Sequence, residues 1–399
     1  MLNFRHAIAR KGVGIALTGL VLASVSACGE DQPPLTESTA TGTPIKIGVV
    51  ASLSGKSLPA TAGPEGLKAW ATTINGQGGL AGHEVEIIVR DDGNDPTKSL
   101  TAVKQLVEED GVVAITSWTS LETSWADYVE DQNIPVIGGQ SYAPIWMESP
   151  SFFPVQATLG TAMTSQPLMA LNAGAETIGS YYTADVASAV EAVEAKNGIA
   201  ASLGLEAVFD AAISSSQPDF TAPCLAGKDA GAEAMMLSGV PVERITPSCA
   251  QQGFTPLWIL PGENVTAEVL RTPELGDVLA PQMAFPFFVE DAATEDYRNA
   301  METDYRGPEE EMFSPLTSSA WMTGLVYEEV ANALAEEGTV TSDDMFTGLY
   351  QVKDLSHDGL LAGISYAKND KARSVDCFWE TTVEDGKWEA PNGLEPTCL

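Results

Sequence analysis

Basic residues are scarce: 20 Lys plus Arg stand against 55 Asp plus Glu in 399 residues, a net charge of −35. So acidic a chain argues against nucleic acid and anionic membrane surfaces as partners, because phosphate binding needs clustered Lys and Arg. Histidine is scarcer still. His6, His83 and His357 are scattered and no Cys-x-x-Cys occurs, which argues against a metal site. No Gly-x-Ser-x-Gly elbow is present, and neither His83 nor His357 has an evident nucleophile partner. The Gly55-Lys56-Ser57 triplet lacks its phosphate-loop glycine, since Val50 stands five residues earlier. The expectation is a protein that catalyses no reaction and carries no cofactor.

What is present points outward from the cytoplasm. Arg5, Arg10 and Lys11 form a positive start, and Gly12 to Ala23 form an apolar run short of the roughly 20 residues of a membrane span. Val25-Ser26-Ala27-Cys28 then gives a small-residue cleavage pattern ending in Cys, the mark of a bacterial lipoprotein. Residues 1–27 are read as signal peptide, with lipidation on Cys28. Residues 28–43, rich in Pro, Thr and Ser, are read as a flexible tether. The expected location is extracytoplasmic, anchored to the cell membrane by that lipid. Four further cysteines remain: Cys224, Cys249, Cys377 and Cys398. An even number in an exported chain suggests two disulfides with three possible connectivities. Cys224–Cys249 with Cys377–Cys398 is preferred because each closes a local loop.

With 44% hydrophobic residues, the chain can bury two cores rather than one. Ile45-Lys46-Ile47-Gly48-Val49-Val50-Ala51 reads as a buried strand, Gly66 to Ile74 as a helix, and Val85 to Val89 as a second strand. Thr97 to Glu109 is helical, Val112 to Ile115 a strand, Leu121 to Gln132 a helix, and Pro135 to Ile137 a fourth strand. A second alternating series starts near Thr177. It runs through strands at 178–182, 207–209, 234–237 and 257–260, and helices at 186–195, 220–230 and 240–251. The segments 149–154 and 284–288 are candidate crossings between the two series, a helix resumes over 318–336, and 377–388 reads as a hairpin across Glu384-Asp385-Gly386. Alternation of this kind predicts right-handed crossovers and parallel sheets. The fold class is therefore α/β, with two Rossmann-like lobes joined by a multi-strand hinge. Residues 44–152 plus 286–353 are assigned to the N-terminal lobe, and 153–285 plus 354–399 to the C-terminal lobe. A cleft between lobes is a preferred ligand site.

Asn75-Gly76-Gln77-Gly78-Gly79-Leu80-Ala81-Gly82, the strand to Val89, and Arg90-Asp91-Asp92-Gly93-Asn94-Asp95-Pro96 form an ordered series. With IKIGVVASLSG before it and IPVIGGQSYAP at 134–144 after it, the series resembles the N-terminal signature of type I periplasmic binding proteins. These are the leucine/isoleucine/valine-binding proteins of branched-chain amino acid ABC transporters. Asp91, Asp92 and Asp95 lack the spacing and closing Glu of a calcium loop, so turn and cap roles are expected.

The resemblance implies a Venus-flytrap fold and a ligand carboxylate held by two N-lobe loops, where helix N-termini favour anions. Trp118, Thr119 and Ser120 correspond to the first loop, and Gln140, Ser141 and Tyr142 to the second. Thr119 and Ser120 have a competing role as helix caps. In the second lobe, Ser238 ends a strand and Tyr181 either faces ligand or packs in the core. The chain departs from the family pattern at Leu58-Pro59, where an aromatic or polar contact is usual. It departs again at Leu260-Pro261-Gly262-Glu263-Asn264, where Glu263 meets a ligand ammonium only after a one-residue shift. A small solute bearing a carboxylate is therefore expected, whether amino acid, amide or aromatic acid. The implied partners are permease and ATPase subunits of an importer, with the binding protein itself a monomer. The alternative is a ligand sensor that feeds a signalling receptor.

Overall fold

The segment Ile45–Ala51 (β1) is buried along nearly its whole length. Such continuous burial belongs to a strand covered on both faces of a parallel sheet. The computed structural model, which describes residues 40–55, 60–184, 189–214, 216–368 and 375–399, places β1 between two parallel neighbours. After it come α1 (Ala62–Gly76), β2 (Val85–Asp91), α2 (Pro96–Gln105) and β3 (Ala114–Trp118). Next are α3 (Ala126–Asp131), β4 (Val136–Gly139), α4 (Ile145–Glu148) and β5 (Phe152–Phe153). They form a five-stranded parallel sheet in the order β2-β1-β3-β4-β5.

The chain then enters α5 (Leu159–Asn172), β6 (Thr177–Thr183), α6 (Ala189–Leu203), β7 (Glu206–Ile213) and α7 (Thr221–Asp229). It continues through β8 (Ala234–Ser238), α8 (Val242–Gln251), β9 (Leu257–Ile259), α9 (Ala267–Leu270) and β10 (Val278–Gln282). Three helices follow, α10 (Glu295–Asp304), α11 (Pro315–Ala331) and α12 (Ser342–Leu349). Of these, α10 and α11 pack on α1, and α11 also packs on β4 of the first sheet. Finally β11 (Cys377–Glu384), β12 (Lys387–Glu389) and β13 (Thr397–Cys398) return to the second sheet. Its order is β12-β11-β10-β9-β8-β6-β7, parallel from β7 to β10 and antiparallel where β11 joins. The architecture is thus an α/β fold of two lobes with parallel-dominated sheets.

The cysteines pair locally, Cys224 with Cys249 between α7 and α8, and Cys377 with Cys398 between β11 and β13. The final hairpin turns on Asp385 and Gly386, both at positive φ. In the loop after β2, Asp92 accepts the Asn94 N–H and Asp95 caps α2 through the Thr97 and Lys98 N–H groups. Asp91 gathers N–H groups from Leu53, Ser54 and Gly93.

Several expectations need correction. The helix expected over Leu121–Gln132 is broken into a 3₁₀ turn, Glu122–Ser124, and the short α3. Glu122 turns inward to Ser117 and Trp146, and the non-helical backbone of Trp125 separates the two pieces. The helix expected over Thr97–Glu109 ends as a π-turn at Leu106–Asp110, closed by left-handed Gly111. The expected strand within 149–154 is present as Phe152–Phe153 at the edge of the first sheet, and the chain passes from it through Pro154 into α5 on the second sheet. The segment 284–288 is a buried loop with no strand, its Phe285 set edge-on to Tyr297. Helix α5 was not anticipated: Pro167 inside it masked the pattern. Among the described residues no helix is long and apolar enough to cross a membrane, and no His/Cys/Asp/Glu cluster suits a metal. The signal segment, Cys28 and Leu58-Pro59 lie outside the described residues.

Candidate functional site

Both N-lobe loops leave the carboxyl ends of neighbouring strands, the edge at which open α/β sheets bind ligands. The Gln140 N–H donates to the Ser117 carbonyl at 2.8 Å, which ties the second loop to the end of β3. Gly139 makes this approach possible. Its φ is +90°, and a Cβ there would lie 1.8 Å from the Ser117 oxygen. Only glycine meets both conditions without strain. Helix α11 braces the same point, with Thr323 Oγ1 accepting the Gly139 N–H at 3.2 Å.

In the first loop, Thr119 is buried and Ser120 exposed. Thr119 Oγ1 accepts the Leu121 N–H at 3.3 Å and lies 3.2 Å from Ser52 Oγ, which donates to Asp92 at 2.8 Å. This hydroxyl therefore holds the local turn. Trp118 is fully buried over the start of α1, and a Cβ on Gly63 would meet its ring at 2.5 Å. Among the described residues its indole N–H has no hydrogen-bond partner, and neither has the buried Ser141 hydroxyl. Behind the loop sits Glu122, wholly buried, with Ser117 Oγ and Trp146 Nε1 both donating to one carboxylate oxygen. Burial pushes its carboxyl up to about 7, against the opposing pull of those hydrogen bonds.

Tyr142, half-buried in the second loop, packs beside Ala157, Met169, Met283 and Phe378. Burial raises its hydroxyl above the ordinary tyrosine range, and the charge of Glu263 adds to the rise. Glu263 is exposed on a 3₁₀ turn, Gly262–Asn264, whose Gly262 carbonyl accepts from buried Gln282 at 3.0 Å. The same charge acts on Lys196 of α6. Lys196 Nζ donates to Ser238 Oγ at 3.0 Å, at the end of β8, and to Gln166 Oε1 of α5. Gln166 Nε2 in turn donates to the Leu237 and Ile259 carbonyls. Tyr142, Glu263, Lys196 and Ser238 thus share one neighbourhood, with Tyr142 contributed from the first sheet's side.

Tyr181 is elsewhere. It is fully buried, its hydroxyl donates to the Pro223 carbonyl at 2.9 Å, and its ring sits edge-on to Phe209 beside the Cys224–Cys249 bridge. Its environment is that of core packing, and we remove it from the ligand set. Sequence reasoning missed Lys196 and Gln166. One signal existed: Lys196 shares the buried stripe of α6 with Val193 and Ala200, at helical spacing. A groove of 460 Å³ between β2 and α2 contains none of these residues, and its Arg90 is already paired with Asp110 at 2.7 Å.

Comparison of the sequence with those of curated proteins finds no significant match. In structure the chain is similar to a branched-chain amino acid ABC transporter protein of Thermus thermophilus with bound valine. The TM-score is 0.74 at 14% identity, over 90% of this chain and 98% of that one. It is also similar to a leucine-binding protein of Thermotoga maritima, at TM-score 0.65 and 15% identity, over 87% and 97%. A third relative is a Rhodopseudomonas palustris ABC transporter solute-binding protein in complex with p-hydroxybenzoic acid. There the TM-score is 0.69 at 18% identity, over 89% and 97%. A family model described as periplasmic binding protein matches residues 44–387. That match spans nearly all of both sheets, and the chain belongs to the periplasmic binding protein family.

Proposed function

We propose that this protein is the extracytoplasmic solute-binding component of an ABC importer. It is held at the membrane by lipid on Cys28 and captures a small carboxylate-bearing solute between its lobes. The observation that supports this reading is the tied pair of N-lobe loops, with Gln140 N–H on the Ser117 carbonyl, together with the second lobe's Glu263, whose charge acts on Tyr142 of the second loop. Solute docks on Thr119, Ser120, Ser141 and Tyr142, with Trp118 and Gln140 shaping the loops. Contacts from Ser238 and Glu263 then favour the closed form. A ligand shifts that equilibrium only by its differential affinity for closed over open. Closed protein presents solute to the permease, and ATP is consumed by other subunits.

Related folds with bound valine and with bound p-hydroxybenzoic acid support both amino acids and aromatic acids as classes to test. The experiment is thermal shift on purified protein, unfolded and refolded to release carried-over ligand, against amino acids, amides, dicarboxylates and aromatic acids. A solute at a hundred times its Kd adds about 2.7 kcal/mol of stability. A melting temperature unmoved by the whole panel would count against the reading.

A further inference from the structure

Among the described residues Lys196 is a buried cation without a counter-ion. It is 9% exposed, and it takes part in none of the ion pairs within 4.0 Å among the described residues. Its ammonium has three N–H donors, and two acceptors are in place, Gln166 Oε1 and Ser238 Oγ. Both are neutral. Gln166 is itself locked by the Leu237 and Ile259 carbonyls, so its oxygen is held on the lysine rather than placed there by chance. Burying an ammonium costs free energy unless charge compensates it. A packing role alone would be served by an apolar side chain at this position of the α6 stripe. Glu263 is the only charged group acting on Lys196 among the described residues, and it is exposed rather than in contact.

Resting on the function proposed above, we propose that Lys196 sets the solute class. Its third N–H takes an oxygen acceptor at the solute's second-lobe end, so the site selects acids bearing a second carboxylate or phenolic oxygen. An α-amino acid oriented with its ammonium towards the second lobe meets this cation at close quarters, with only the more distant Glu263 to offset it. An acid whose far end is an oxyanion supplies a counter-charge at closer range than Glu263. Ser238 and Gln166 fix the ammonium's position, while Tyr142 closes the neighbourhood from the first lobe.

The test is calorimetric titration of the purified protein with benzoate, 4-hydroxybenzoate, terephthalate and valine. Wild type should bind terephthalate or 4-hydroxybenzoate about tenfold or more tighter than benzoate, the size expected for one charge-assisted hydrogen bond. Lys196→Gln should bring that ratio close to one. A second readout needs no variant. Burial lowers the Lys196 amine to about 8, so the wild-type preference for terephthalate over benzoate should shrink between pH 7 and pH 9.5. Over that range both carboxylates of terephthalate stay ionised, and Gln166 and Ser238 do not titrate. A preference that survives Lys196→Gln, one that is flat with pH, or valine as the tightest ligand would overturn the inference. Binding of none of the four would overturn it too. The wider reading falls only if the whole solute panel also leaves the melting temperature unmoved.

Discussion

Gly139 and Ser117 define how the two N-lobe loops meet: the glycine backbone passes so close to the Ser117 carbonyl that no Cβ fits between them. The next residue, Gln140, donates its N–H to that same oxygen. Gly139→Ala should therefore both destabilise the fold and displace the second loop. The φ of +90° alone costs more than about 1 kcal/mol for a residue with a Cβ, and the clash adds to it. We expect a lower melting temperature and weakened binding of whichever solute stabilises wild type; calorimetry reads both.

Ser120 is exposed and makes no hydrogen bond among the described residues, whereas Tyr142 lies in the range of Glu263. Ser120→Ala should leave stability within about 0.5 kcal/mol, as exposed substitutions usually do. Combined with Tyr142→Ala, it should weaken solute binding by roughly tenfold or more, the loss of one or two hydrogen bonds. Unchanged affinity in the double variant would remove these loops from the site.

Glu122 gives a pH signature. Its carboxyl is raised from 4.5 to about 7 in the folded protein, chiefly by burial. The folded state therefore holds the proton more tightly than the unfolded chain does. Its stabilising contribution is complete below pH 4.5 and is lost as pH rises through about 7. Glu122→Gln mimics the neutral form and keeps both donors, Ser117 and Trp146, partnered. Relative to wild type, it should gain on the order of 1–3 kcal/mol at pH 8 and little at pH 4. Denaturant melts of the two proteins at both values measure the difference; equal stability at pH 8 would contradict it.

The two disulfides close loops of 25 and 21 residues. Chain entropy assigns each about 3 kcal/mol. Cys224 and Cys249 are fully buried, whereas Cys398 is exposed. Under mild reductant the Cys377–Cys398 bridge should open first, lowering the melting temperature, with a further drop when Cys224–Cys249 opens. Thiol alkylation and mass spectrometry give the order.

Much of the fold was legible. The continuous burial of β1 follows from IKIGVVA, and the hairpin turn follows from Asp385-Gly386, which adopt positive φ at little cost. The alternation of apolar strands and helices implied two parallel sheets. Elements whose outer pattern is uniform were harder. Helix α5 is buried among strands β8 to β11 and carries Pro167, so neither periodicity nor propensity marked it. The split at Trp125 escaped notice because Glu122 turns inward, an arrangement that depends on Ser117 and Trp146.

By itself the sequence determined most of the order of strands and helices, and among three cysteine connectivities it favoured the local one that the structure shows. These rest on interactions between residues close in the chain or on backbone limits that a single residue imposes. Only the tertiary structure decided which polar side chains converge. Lys196 meets Ser238 across 42 residues and Gln166 across 30, while Tyr181 turns away to Pro223. Contacts over such separations depend on how helices lie across a sheet, and side-chain type alone carries no record of that.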